Sequence, residues 1–580
     1  MLRSFISLLG FFASFLAFAQ QLPTENQRLI DTGKLWITVK YFHPYLAYRN
    51  DIDWDKALAD ALPKIRAAAS PEDYVAAVNA MLATLQDPLT HVVSPADEKG
   101  KEAEGKTGSQ RLRIHHGLPP QEGNSPLYYS GLIIKPSPGF TETAAVPLGA
   151  NLFAAVRLSE PVPQNDRLSL LSQLDRPYTT PAYPSVEYRI LAAYKLWGVI
   201  HYFFAYKDLM DEDWDKLFAD YLPKFIAAKD AREYHLTVAE LLSYLSDSHV
   251  TAQSAELTQY FGEAPVGLRL RLVEKRPIVT EILDEEGRKA GVRVGDMVTK
   301  VDGEAMGERI KREANYISSS TAQSLGCSVM QRILNGPESS TAVLTIAEAD
   351  HGTKEVKLSR SKRYLSPLGT QRTGDIVKIL PHNIGYADLD RLGSAEVDAM
   401  FEKLRNTRAI IFDMRGSPQE LAGAIASRLT EKSNMPSAII TGPLVMQPDL
   451  PKPGTDTSTA SYFETQTVPN SDQWKYQKKT VMLIDERTVG RAEHLSLFLE
   501  VANKTEFIGA PSAGADSDSS DFVIPGGITI AFSGHDIRHV NASPLQRLGL
   551  QPTVTVSTTV KGIRAGRDEV LEGALEYLSK

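Results

Sequence analysis

At 580 residues the chain exceeds what one core can organise, and units of about 100 to 200 residues give roughly three to five domains. The composition is that of an ordinary globular protein, and a net charge of -8 spread without long acidic or basic blocks argues against nucleic acid or an anionic membrane surface as partner. Cys327 is the single cysteine, so no intrachain disulfide forms and stability must come from core burial.

The first residues read MLRSFISLLGFFASFLAFAQ: Arg3, an apolar run from Phe5 to Phe18, then Ala17-Phe18-Ala19. This is the pattern of a secretory signal peptide over residues 1–19, cut after Ala19 and too short to stay as a membrane span. A buried N-terminal helix is the alternative, but the run has no polar face. No cysteine follows the cut, which argues against a lipoprotein anchor, and no later segment holds 18 uninterrupted apolar residues. The mature protein is expected in an exported compartment, periplasmic or extracellular.

A helical module is expected over 20–93 and again over 187–262. The segment from Lys34, KLWITVKYFHPYLAYRNDIDWDKALADALPKI, returns from Lys195 as KLWGVIHYFFAYKDLMDEDWDKLFADYLPKF. Trp36 matches Trp197, Asp53-Trp54-Asp55 matches Asp213-Trp214-Asp215, and Leu62-Pro63-Lys64 matches Leu222-Pro223-Lys224. Apolar positions recurring at three and four, as at Val238, Leu241, Leu242 and Leu245, read as amphipathic helices with the tryptophans as core anchors. The second copy ends Asp247-Ser248-His249, whereas the first ends Asp87-Pro88-Leu89-Thr90-His91 with two extra residues expected before its histidine. Between the copies, residues 94–186 read as a β-rich insert, with strands at Arg111–His115, Leu127–Ile134 and Asn151–Leu158 between Gly and Pro turns.

Residues 263–362 carry AGVRVGDMVTKVDG, where Gly291 and Gly295 suit tight turns and Asp302-Gly303 suits a hairpin. From 363 to 580 strands alternate with helices, and continuous apolar strands such as Ala409–Phe412 imply a sheet covered on both faces. In VMLIDERTVGRAEHLSLFLE, Val481–Ile484 reads as a buried strand, Asp485–Gly490 as a turn and Arg491 onward as a helix. Such a corner aims unpaired N–H groups and a positive helix end at whatever lies in the turn. His535 and His539 are four apart but lie in turn-like sequence, so no metal site is expected, and no cofactor.

These words, in order, resemble the tail-specific (C-terminal processing) peptidases and the tricorn-core serine peptidases: IGY, FDMRG, the ERTxxxAE corner, IGAPSAGA, QRLGLQP and AGRDEVLEGAL. The resemblance implies a multidomain α/β chain: duplicated helical module, β-rich insert, PDZ-like domain and crotonase-like α/β catalytic-type domain. It implies acyl transfer by a serine nucleophile, with His249 of the Ser248-His249 pair as general base. Here the nucleophile position is Gly490. It implies an oxyanion site from the backbone at Gly490 and Arg491, with Gln419-Glu420 standing where the family has a double glycine. The supporting glutamate of the tricorn-like branch aligns with Gln546, and the lysine of the tail-specific branch with Ala515. The PDZ-like match implies that Gly267, Leu268, Arg269 and Leu270 hold a ligand's terminal carboxylate while the peptide adds as a strand. The expectation is an exported homologue that binds extended or C-terminal peptides with hydrolysis impaired. Two alternatives stay open: an active serine peptidase using another nucleophile, for which Ser496, Ser512, Ser517, Ser519 and Ser520 are the nearby hydroxyls, and a non-catalytic scaffold.

Overall fold

The computed structural model describes residues 21–93, 109–116, 129–136, 142–149, 151–162, 178–348, 352–365, 372–450 and 460–580. The expected signal peptide lies outside the described residues. Among them, no helix is long and apolar enough to cross a membrane.

Three helices open the described chain, α1 (Glu25–Phe42), α2 (Trp54–Ala67) and α3 (Pro71–Leu82), and they return as α4 (Val186–Phe203), α5 (Trp214–Ala227) and α6 (Ala231–Ser243). Local chemistry repeats with them. Asp53 and Asp213 cap α2 and α5 by accepting from the N–H groups of Lys56 and Lys216. Arg28 reaches from α1 to the carbonyls of Pro23, Ile65 and Arg66, and Arg189 reaches from α4 to those of Pro184, Phe225 and Ile226. The indole N–H of Trp54 donates to Trp36 O, and that of Trp214 to Trp197 O, both at 3.0 Å.

The two copies meet along α1 and α4 at glycines. A Cβ on Gly33 would lie 2.7 Å from the Tyr194 ring, and one on Gly198 would overlap the Ile37 side chain. Gly33 and Tyr194 are matching positions of the repeat, and so are Ile37 and Gly198. Each contact therefore joins a position to its own counterpart, the signature of a pseudo-two-fold axis, and each is relieved by pairing a glycine with a large side chain.

Between α3 and α4 the described residues form six strands, β1 (His91–Val93), β2 (Ser109–His116), β3 (Tyr129–Pro136), β4 (Thr143–Pro147), β5 (Phe153–Arg157) and β6 (Ser159–Pro161). After α6 come β7 (Thr251–Gln253) and α7 (Ala255–Phe261). A groove unit follows: β8 (Leu268–Val273), β9 (Arg276–Ile282), α8 (Glu285–Lys289), β10 (Met297–Val301), β11 (Glu304–Ala305), α9 (Met306–Ala314), α10 (Ala322–Arg332), β12 (Thr341–Ala347) and β13 (Thr353–Ser359). Its six-stranded sheet runs β13-β12-β10-β9-β8 with β11 beside β10, which leaves β8 as an edge strand against α10.

The C-terminal domain comprises β14 (Val377–Leu380), β15 (Ile384–Asp388), α11 (Val397–Leu404), β16 (Ala409–Asp413), α12 (Ala422–Ala426), β17 (Pro436–Val445), β18 (Ala460–Thr467), β19 (Lys479–Ile484), α13 (Arg491–Asn503), β20 (Glu506–Gly509), β21 (Ser519–Ile524), β22 (Ile528–Ser533), β23 (Asp536–Arg538), β24 (Val554–Thr555), α14 (Val560–Arg564) and α15 (Glu569–Ser579). Its central sheet runs β14-β15-β16-β19-β20-β24, parallel from β15 onward. Ile410, Phe412, Met482 and Ile484 pack toward α11, α12 and α13, whereas Ile411, Val481, Leu483 and Ile508 pack toward α15. Both faces are covered, as continuous apolar strands require.

The stretch between the helical modules is more than an unrelated insert. Hairpin β4–β5 adds to β1 just as hairpin β21–β22 adds to β7. The registers agree: Ala155 faces His91 and Ala531 faces Thr251, which puts Arg157 and Ser533 at one position of the two hairpins. Strand β2 carries β3 and β6 as β17 carries β18 and β23, and β2 meets β17 directly at Leu444–His116 and Val445–His115. The sheet β18-β17-β2-β3 is thus symmetric about its central contact. Among the described residues, the N-terminal half repeats the helices and the outer β-structure of the C-terminal half, without the groove unit or the central parallel sheet.

This register revises the end of the repeat. Gln86 and Ser246 both turn the chain with φ near +50° (53° and 52°), and Asp87 and Asp247 follow them. Leu89, not His91, then stands where His249 stands, and the two extra residues expected from sequence are absent.

Candidate active site

Strand β19 ends at Ile484, and the turn Asp485–Val489 carries the chain to Gly490 at the start of α13. Two side chains shape this turn: Asp485 accepts from Arg487 N at 3.0 Å, and Thr488 Oγ1 donates to Met414 O at 2.8 Å. Gly490 itself sits at φ 56°, ψ -115°. That is a strained position for any residue with a Cβ, and it is the kind of backbone that thrusts one side chain forward at a strand-to-helix corner. A Cβ built there would lie 3.4 Å from His249 Nε2 and 3.9 Å from Ala515 O, with no other atom outside the neighbouring residues within 4 Å. The sequence-predicted nucleophile position and general base therefore face each other.

Gly490 N donates to Ala515 O at 3.0 Å. Arg491, the first residue of α13, exposes its side chain, and its N–H finds no acceptor among the described residues. Glu493, fully buried, gathers the corner: it accepts from Gly490 N (3.3 Å), Gly514 N (2.7 Å), Ala515 N (2.9 Å) and Ser512 Oγ. Burial raises its pKa, Ser512 and the Ala515 and Gly514 amides oppose that, nearby Asp516 adds to it, and the value settles at about 7. Charge complementarity with the helix end is thus only part of its role; Glu493 ties α13 to the loop after β20.

His249 lies between β7 and the end of α6, and Asp247, two residues before it, is completely buried. Asp247 accepts from His249 N (3.1 Å), Ser533 N (3.2 Å) and Gln546 Nε2 (3.3 Å), and stands 3.6 Å from His249 Nδ1. Ser533 Oγ approaches the same ring nitrogen at 3.4 Å. Burial alone would lower the His249 pKa, but contact with the Asp247 carboxylate, with Asp516 and Glu493 adding charge, holds it above the ordinary value. The carboxylate that supports the histidine is therefore Asp247, and Gln546 holds that carboxylate, its amide also donating to Ser320 Oγ at 3.2 Å. Sequence reasoning looked for this charge at Gln546 and missed Asp247. The available signal was an aspartate at one position of both repeats.

Ser248 faces away from Gly490. Its hydroxyl accepts from Ser320 N (3.0 Å) and bonds Ser324 Oγ (2.8 Å), which fixes the end of α6 to the groove unit. Gln419 and Glu420 are exposed in the loop after β16, and no hydrogen bond joins Gln419 to the corner among the described residues. Three of the other candidate hydroxyls are committed elsewhere, and Ser519 and Ser520 lie on β21. Ser496 Oγ donates to Ala492 O at 2.7 Å, Ser512 is held between Glu493 and Leu550 N, and Ser517 Oγ donates to His535 O at 2.6 Å. Among the described residues no hydroxyl or thiol hydrogen-bonds His249 Nε2. His494 pairs with Asp516 at 3.1 Å, His535 with Asp518 at 2.6 Å and His539 with Glu500 at 2.9 Å, and no group of three metal-ligating side chains occurs among the described residues.

A groove of about 240 Å³ runs beside this corner. Leu268, Leu270 and Leu272 of β8 line one wall, Gly326, Cys327 and Met330 of α10 the other, and Glu486 and Arg487 close one end. Leu268 and Leu270 are themselves buried in the unit's core, while Gly267 passes so close to Asp284 that a Cβ would lie 2.8 Å from its carboxylate carbon. Arg269 pairs with Glu281 at 3.2 Å. Arg271 crosses to the C-terminal domain and donates to Glu486 at 2.7 Å and Asp485 at 3.2 Å. Burial pushes the Cys327 thiol up to about 12, so it offers no thiolate to the groove at neutral pH.

Residues 383–556, which hold the corner and the strands around it, match the family model described as peptidase family S41. The match covers most of the C-terminal domain. Among solved structures, the chain is similar to mature CPAF complexed with lactacystin, at 12% identity and a TM-score of 0.51, over 68% of this chain and 97% of that one. At that identity the likeness speaks for the fold. Similarity also extends to the photosystem II D1 C-terminal processing protease (17% identity, TM-score 0.39, 66% of this chain and 98% of that one). It extends as well to the tricorn protease (12% identity, TM-score 0.34, 75% of this chain and 40% of that one). No curated protein matches the chain.

Proposed function

We propose that this S41-type protein, exported to a periplasmic or extracellular compartment, captures extended or C-terminal peptides and does not cleave them through an acyl-enzyme. The observation that carries the reading is Gly490: a glycine at φ 56° facing His249 Nε2, so the base has no hydroxyl to deprotonate. Losing the nucleophile of a serine hydrolase costs on the order of a million-fold in turnover, while binding surfaces persist. The groove between edge strand β8 and α10 supports capture by strand addition, as PDZ-like domains do, and it ends at the residues that lead into the corner.

The test is Gly490→Ser beside wild type on an unfolded substrate with an apolar C-terminus. Cleavage by the variant alone locates the loss in the nucleophile. Stoichiometric labelling of the wild type by a fluorophosphonate would overturn the reading in favour of an active peptidase with another nucleophile. Absence of binding to any free C-terminus on a peptide array would favour a scaffold. Because Leu268 and Leu270 are core residues, the groove is better probed at Leu272, which is 36% exposed.

A further inference from the structure

His249 keeps every feature a general base needs. Its Nδ1 side faces the buried Asp247 carboxylate and Ser533, and its Nε2 faces the space in front of Gly490. In a serine peptidase that space belongs to the nucleophile's oxygen. Here it is bounded by one acceptor nitrogen, His249 Nε2, and one carbonyl, Ala515 O, 3.4 and 3.9 Å from the position a Cβ would take. Two polar atoms flanking the place where a Cβ would stand can hydrogen-bond a water molecule there. The first amide of α13, at Arg491, points no bond elsewhere among the described residues.

We infer that the corner hydrolyses reactive acyl compounds, aryl esters and thioesters, by direct attack of a water that His249 deprotonates. The inference rests on the reading that Gly490 supplies no nucleophile. In the attack, the water oxygen bonds to the acyl carbon while one water proton passes to His249 Nε2. The carbonyl π pair moves onto oxygen beside the Arg491 N–H. Collapse of the tetrahedral species breaks the bond to the aryloxide or thiolate, which leaves with the bonding pair and takes up a proton from His249 or solvent. The products are a carboxylic acid and a phenol or thiol. No oxidant, metal or covalent enzyme intermediate enters.

The class of substrate follows from the leaving group. An amide nitrogen leaves only when protonated, and water is a poorer nucleophile than an activated serine alkoxide, so peptide bonds stay intact on the timescale that splits an aryl ester. Positioned general-base catalysis is worth about 100- to 10,000-fold.

The experiment compares wild type, His249→Ala, His249→Asn and Gly490→Ala on p-nitrophenyl acetate and on an acyl thioester, with a fluorophosphonate labelling assay and circular dichroism on each protein. The expected result is steady turnover without a burst and no label on wild type. Both His249 variants should lose at least tenfold in kcat/KM, and Gly490→Ala, whose methyl takes the water's place, should lose a similar factor with His249 present. Turnover unchanged in both folded His249 variants, or no turnover above an equal concentration of free imidazole, would overturn the inference and leave peptide capture standing. A burst with stoichiometric labelling of wild type would overturn both, because a nucleophile would then exist.

Discussion

Asp87 and Asp247 occupy the same place in the two halves of the molecule and answer to different partners. Asp87 accepts from Arg157 (2.8 Å), Thr90 (2.7 Å) and His43 (3.2 Å). At the position of Arg157 the C-terminal half has Ser533, and at that of Leu89 it has His249. One half has neutralised its buried carboxylate with a fixed cation; the other has left the charge to a histidine.

The consequence is a contrast between two substitutions. Asp87→Asn takes from a buried guanidinium its nearer carboxylate and leaves only Glu142, 3.9 Å away, so chemical denaturation should show a loss of up to about 3–5 kcal/mol. Asp247→Asn should be milder in stability, because Ser533 N and Gln546 can still find an oxygen. Its effect should appear in the imidazole resonances of His249, with burial left to dominate and the titration midpoint below that of wild type.

Glu493 predicts a pH dependence. Its folded value, about 7, lies above the ordinary 4.5. A carboxyl raised by folding binds more protons in the folded state between those values, so its contribution is complete below about 4.5 and is lost as pH rises through about 7, up to about 3 kcal/mol. Urea unfolding at pH 5 and pH 8 checks this: the stability gap between wild type and Glu493→Gln should be wider at pH 5 than at pH 8.

Arg271 is the only described bridge from β8 to both acids of the turn, Asp485 and Glu486, and Arg271→Met should loosen the groove unit from the corner. Charged hydrogen bonds of this kind contribute about 1.5–3 kcal/mol. Limited proteolysis should cut nearer the groove unit in the variant, and peptide affinity should change while far-ultraviolet dichroism does not.

The α1–α4 contact predicts a compensating pair. Gly198→Ala drives a methyl into Ile37 and should cost about 1–3 kcal/mol. Ile37→Ala, made in the same chain, should recover part of that loss, and a double-mutant cycle by thermal melting measures the coupling.

Gly490 makes a last prediction. Gly490→Ala places a Cβ at φ 56°, worth about 1–3 kcal/mol of strain, without any close contact to other residues. Thermal melting of Gly490→Ala and Gly490→Ser should show equal destabilisation, since the cost lies in the backbone.

Much of this was legible in the chain of residues because helices announce themselves locally. Trp36, Trp54 and the Asp53 cap recur as Trp197, Trp214 and Asp213, and a 3.6-residue period survives drift at individual positions. The strand-turn-helix corner at Gly490 was equally local. The β half of the duplication was not, since β4–β5 and β21–β22 share a pairing register and a place against β1 and β7, which no pairwise likeness of side chains records. Without that register His91 drew the alignment and Leu89 was passed over. Asp247 was missed for another reason: it lies beside His249 in sequence, whereas the support was sought far downstream, and Gln546 turned out to hold the acid rather than replace it.

The contact of β2 with β17 also bears on how the chain meets other chains. Beyond β23, the side of β17 turned away from β18 offers unpaired N–H and C=O groups, an edge to which foreign strands add. Leu444 and Val445 are covered there by His116 and His115 of the N-terminal half, and the N-terminal half is covered in return. The N-terminal repeat thus serves as a permanent partner for that edge, a second subunit that travels in the same polypeptide.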